Sequence, residues 1–247
     1  MAAATGWGAL AASSLVIGAI LGLYRRWPDR QVGVVLAFGA GALISAVSFE
    51  LAEEGFEVGG AGGVGFGLAV GALSYFFASR RLEEGGRRKG HRPPSRAGAG
   101  ADPEGGGVAL ALGATLDGIP EQLVLGIGLA AGAGISAPLL LAIFISNLPE
   151  AIGSASEMHA AGRGRRQIVQ LWIAVAVAVT IATIAGYALA DVTGDSFTAA
   201  IDGFAAGALL VMLIDSMIPE ATAGAGRVAG LVSVLGFAVA AGLSNLS

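Results

Sequence analysis

Asp117-Gly118-Ile119-Pro120-Glu121-Gln122 and Ser146-Asn147-Leu148-Pro149-Glu150-Ala151 are two versions of one pattern, and each lies inside a long apolar run. An acid in such a run is costly in hydrocarbon and marks function by default. Asp117 and Glu121 stand four residues apart, so on a helix their carboxylates share one face. Pro120 has no N–H, which releases the Leu116 carbonyl from its helical partner; Pro149 does the same for Ile145. Released carbonyls at membrane depth persist only against protein or a wet cavity. Carboxylates, an amide, a hydroxyl and loose carbonyls gathered in a bilayer have the chemistry of a cation site.

The composition agrees with a membrane setting. Of 247 residues, 55% are hydrophobic and only 13% charged, about half the charge of a soluble domain. The mean hydropathy is +0.75. The 41 glycines suit close helix packing in lipid. The absence of cysteine excludes disulfides and thiolate ligands. Basic residues are too few and too dispersed for nucleic-acid binding.

Outward from the motifs, the apolar pattern predicts an all-α integral membrane protein with eight spans: 4–24, 32–54, 58–79, 107–131, 136–160, 167–190, 197–221 and 226–246. The first resembles a signal peptide in length, but Arg25 and Arg26 follow it rather than lead it, so it reads as a retained helix. Residues 1–79 carry spans one to three, 80–106 form a flexible loop, and 107–247 carry spans four to eight of a single membrane domain. The loop holds seven basic residues, several Gly and Pro, and His91.

All 14 Lys and Arg fall in alternate connections, 1–2, 3–4, 5–6 and 7–8. The positive-inside rule then puts both termini outside and the long loop in the cytoplasm, as for a multi-pass protein of the cell membrane. Phe38-Gly39-Ala40-Gly41-Ala42-Leu43 in span two is echoed by Phe204-Ala205-Ala206-Gly207-Ala208-Leu209 in span seven, with Glu54 in register with Glu220. The two spans run in opposite directions, as do spans four and five. Inverted repeats with a midplane site on broken helices belong to transporters.

Other polar residues have two readings each. Glu50 and Asp215 occupy the same third of paired spans, as pathway residues or as internally hydrogen-bonded groups. Glu157 and His159 lie at the inner end of span five, as an exit site or as interfacial residues. Glu53, Glu54 and Glu57 attract cations at an outer mouth or form a solvated acidic loop.

These residues together resemble the ZIP (Zrt/Irt-like) family of divalent metal transporters. That family has eight spans arranged 3+2+3, with a variable cytoplasmic loop after span three. Its bacterial members carry HNxPEG on spans four and five, where this chain has DGIPEQ and SNLPEA. The resemblance covers the whole chain in topology, and its sharp part is the two Pro-Glu cores and Asn147; Ile218-Pro219-Glu220-Ala221 also matches the end of span seven.

It implies that Asp117, Glu121, Ser146 and Glu150 surround one metal, that Asn147 faces a second position, and that Gln170 fills a peripheral one. Both motif histidines are replaced, by Asp117 and Ser146, and Gly118 offers no donor. The remaining set is oxygen-rich, which favours manganese, magnesium or calcium over zinc, with iron(II) between. The resemblance itself implies zinc or iron, and the two arguments together give a transported ion of the zinc, iron or manganese class, with no prosthetic group.

The expected function is passive or gradient-coupled movement of a divalent metal toward the cytoplasm, since no GxxxxGK[ST] motif is present. The alternatives are a metal sensor or scaffold that has lost its histidines, and an intramembrane enzyme, which lacks any HExxH or Ser-His pair. The expected partners are the bilayer and the metal ion, and a homodimer is left open.

Overall fold

A computed structural model describes residues 1–88, 106–130, 136–191 and 195–244. Among them the chain is all-helical, in eight rods. α1 is Ala2–Tyr24. α2 is Asp29–Glu57, and α3 is Gly59–Arg81 with helical residues continuing to Arg88. α4 is Gly106–Ala130, α5 Ala137–Ala160 and α6 Arg165–Asp191. α7 joins Asp195–Met212, a wide π turn Leu213–Met217, and Ile218–Ala225. α8 is Val228–Ser244. The expected loop from residue 80 therefore begins as helix; Arg, Leu and Glu are good helix formers and no proline intervenes before Pro93. His91 and the 4–5 connection at Gly132-Ala133-Gly134 lie outside the described residues.

Among the described residues, six rods, α1, α2, α3, α5, α6 and α7, are long and apolar enough to cross a membrane. Their outward faces are themselves apolar. Phe66, Val177, Leu231 and Val234 are all more than half exposed. A water-soluble bundle turns polar residues outward, and an exposed apolar belt marks a lipid-facing surface. The chain is a multi-pass membrane protein.

Local chemistry sets the helix boundaries. Ser136 caps α5 by accepting a hydrogen bond from the Leu139 amide, 3.1 Å, and Pro138 follows in the first turn, where its missing N–H is not needed. At the start of α3 the chain turns at Gly60, whose φ of 74° and ψ of 170° are essentially closed to other residues. α2 also contains a π stretch, Val47–Glu53, and α7 its own at Leu213–Met217. Such bulges inside α-helices are frequent at functional sites.

The rods form two groups. α1, α4, α5 and α6 pack on one another, as do α2, α3, α7 and α8; α2 against α5 and α4 against α7 join them. Glycine permits the closest approaches. A Cβ on Gly22 of α1 would strike the carbonyl of Ile152 on α5, and one on Gly186 of α6 would strike that of Leu123 on α4. In the other group, Gly236 of α8 lies against the Phe38 carbonyl of α2, and Gly71 of α3 against that of Phe204 of α7. At the junction, a Cβ on Gly39 of α2 would come within 3.0 Å of Ser146 Cα, so α2 reaches α5 beside the second motif.

Candidate metal centre

Both motifs lie in unbroken helices with their prolines inside: Pro120 in α4 and Pro149 in α5. Between α4, α5, α2 and α7 lies a cavity of about 30 Å³. It is lined by Asp117, Glu121, Ser146, Glu150, Leu36, Met212, Ser216, Met217 and Glu220. That volume matches one water molecule or one small ion. Four carboxylates from three helices face it.

Glu121 is 2% exposed. Ser146 Oγ lies 3.3 Å from Glu121 Oε1 and 3.0 Å from the Ile143 carbonyl, and its single proton serves one of them at a time. Glu121 Oε2 has no hydrogen-bond partner among the described residues. Asn147 Nδ2, equally buried, has none either. A buried polar atom without a partner costs about 1–3 kcal/mol, more when charged, so its presence calls for an explanation. Glu150 has Asp117, Glu220 and Glu121 as its charged neighbours. Asp117 Oδ1 accepts a hydrogen bond from the Tyr75 hydroxyl of α3.

The expected residues divide. Asp117, Glu121, Ser146 and Glu150 converge on the cavity; Asn147 lies beside Glu121 but does not line it. Asp215, in the π turn of α7, is exposed, and Gln170 is exposed on α6. The side chain of Glu50 lies outside the described residues. Gly118 packs toward Val179 of α6, so the position has no room for a larger donor without movement there. Four donors absent from the expected ligand set line the cavity: Glu220 and Ser216 on α7, with the thioethers of Met212 and Met217. The register of Glu220 with Glu54 was the signal for it.

The four acids share a cavity without closing on a point. Among the described residues no three Asp, Glu, His or Cys side chains have the spacing of a metal cluster. A buried pair beside the site, Thr183 Oγ1 donating to Gln122 Oε1, ties α6 to α4 one residue after Glu121. It uses Gln122 for packing and leaves Glu121 to the cavity.

No protein-family model matches the chain. Over 226 residues it is 31% identical to a protein of Arabidopsis thaliana named a "putative zinc transporter". The match covers 90% of this chain and 33% of that protein, so the chain spans about a third of the length of this relative.

Proposed function

We propose that the chain is a divalent-cation transporter of the ZIP type, moving zinc, iron(II) or manganese across the cell membrane toward the cytoplasm. The observation that carries this reading is the cavity between α4, α5 and α7, lined by four carboxylates and small enough for a single ion. The unpartnered Glu121 oxygen is satisfied when a cation enters. The similarity to a plant protein named for zinc transport adds independent weight.

An inverted 3+2+3 repeat is the architecture this function uses, and the packing supports it. Exchanging α1 with α6, and α4 with α5, turns the Gly22–Ile152 approach into the Gly186–Leu123 approach. Ile152 stands two residues after Glu150, and Leu123 two after Glu121. Exchanging α2 with α7, and α3 with α8, turns Phe38–Gly236 into Phe204–Gly71. The π stretches of α2 and α7 fall at matching places in the same scheme. The cavity lies where the two groups of helices meet, so relative movement of the groups alternates its access. Both termini are outside in this reading, with residues 80–106 cytoplasmic.

A sensor or scaffold is the second reading, favoured by the lack of three converged metal-binding side chains among the described residues. Uptake into proteoliposomes from a mixture of zinc, iron(II), manganese, cobalt, cadmium and magnesium separates the two. Selective accumulation of one ion identifies a transporter and its substrate. No accumulation by folded protein leaves the sensor or scaffold.

A further inference from the structure

Tyr75 stands in an aromatic run, Ser74-Tyr75-Phe76-Phe77, that the sequence presents as a membrane-interface cluster. The structure separates its members. Phe76 and Phe77 are 43% and 52% exposed and stack edge to face on the outside of α3, whereas Tyr75 is 5% exposed. Its ring packs in the core shared by α2, α7, α4 and α5. Its hydroxyl donates to Asp117 Oδ1, across from α3 to α4. α3 belongs to one group of helices and α4 to the other, and the two rods touch over a short length only. The bond therefore joins the two groups at the wall of the cavity.

We propose that Tyr75 is a displaceable cap on Asp117, which competes with the cation for that carboxylate. This rests on the reading of the α4 and α5 acids as a cation site. The phenol holds Asp117 toward α3, while Glu121 and Glu150 wait across the cavity. A cation that draws Asp117 toward those two acids takes electron density from the oxygen that accepts the phenol's proton. The hydrogen bond weakens and one tie between the helix groups is released. Binding is thus coupled to separation of the groups, and Tyr75 sets the apparent affinity without being a ligand.

Tyr75→Phe keeps the ring and removes only the cap. In full-length protein reconstituted into proteoliposomes, the half-saturating zinc concentration for binding and uptake is expected to fall about tenfold, the scale of a hydrogen bond to a charged group. The maximal rate is expected to fall as well, because release must then proceed without the competing donor. Weaker zinc binding would make Tyr75 a ligand, and unchanged binding a packing residue; either overturns the cap. The same titration is run with manganese: if the wild type binds neither zinc nor manganese, the site reading fails and the cap with it; if the wild type binds either and the variant matches it, only the cap fails.

A second measurement does not depend on the variant. The chain has 3 tyrosines, so fluorotyrosine labelling gives a fluorine spectrum of few lines, with Tyr75 assigned through Tyr24→Phe and Tyr187→Phe. Adding zinc should move the Tyr75 line and leave the other two. A Tyr75 line that stays in place at saturating zinc would also overturn the cap.

Discussion

Ser146 on α5 reaches across to Glu121 on α4, its Oγ 3.3 Å from Oε1, while Oε2 of the same carboxylate has no hydrogen-bond partner among the described residues. Half of a deeply buried carboxylate is thus supported by the neighbouring helix and half is left to the cavity. In hydrocarbon this arrangement is expensive unless a ligand completes it.

Glu121→Gln removes the charge and keeps the shape. Without added metal the variant should be more stable than wild type by about 1–3 kcal/mol, the scale of an unsatisfied buried group. Metal-dependent uptake should fall at least tenfold, roughly the loss seen when even a supporting residue of a metal site is changed. The rise in melting temperature expected when metal is added to the wild type should be absent from the variant. Glu150→Ala should lose uptake in the same way. Full uptake in either variant would remove that residue from the mechanism.

Gly22 and Gly186 carry a prediction about folding rather than transport. Each faces a backbone carbonyl, Ile152 and Leu123 respectively, that a Cβ would strike. Backbone has no rotamer to escape through, so the helices must move apart. Gly22→Ala and Gly186→Ala should each cost about 1–3 kcal/mol, as overpacked core positions do. Gly6 and Gly128 have open space at the Cβ position, and alanine there should change stability by under about 0.5 kcal/mol. Thermal unfolding in one detergent compares all four. Equal stability of the two pairs would mean that the α1–α5 and α4–α6 contacts are looser than described.

Much of the helical order was legible because lipid leaves the backbone few options. Every span must satisfy its own N–H and C=O groups, so runs such as residues 167–190 announce helices, and the two Pro-Glu motifs announce their own importance. The spacing put Asp117 and Glu121 on one helix face, and it was the resemblance to the ZIP pattern that added Ser146 and Glu150 to them.

The sequence did not show Glu220 and Ser216 in the same cavity. Their approach depends on a π turn at Leu213–Met217 that rotates the end of α7, and no composition signal marks an extra residue in a helical turn. Nor did it distinguish Tyr75 from Phe76 and Phe77. Three consecutive aromatics look alike in sequence, and only the rotation of α3 decides which one turns inward.

Glu220 gives a test of that added element. It lines the cavity from α7 and is a near charged neighbour of Glu150. Glu220→Gln should weaken apparent cation affinity about tenfold, close to 1.4 kcal/mol, with the fold unchanged. Gln170 is exposed on α6, and Gln170→Ala should leave affinity and rate within about 0.5 kcal/mol of wild type. The readout is the concentration dependence of uptake for both variants beside the parent. A silent Glu220→Gln would confine the ion to α4 and α5.

In the proposed reading, Asp117 decides which ion is preferred. It stands where the ZIP pattern carries a histidine, and with Glu121, Glu150, Glu220 and two serines it makes the cavity predominantly an oxygen site. Oxygen donors suit manganese and other hard ions, whereas imidazole suits zinc. Asp117→His exchanges one hard anionic donor for a neutral nitrogen and lowers the negative charge facing Glu150. Both changes favour the ion that gains most from imidazole over the ion that depends on charge. In competition uptake from equal zinc and manganese, the zinc-to-manganese ratio should rise about tenfold, or about 1.4 kcal/mol of relative preference. An unchanged ratio with intact uptake would show that Asp117 does not touch the ion. It would then be a structural partner of Tyr75, leaving Glu121 and Glu150 to bind the ion without it.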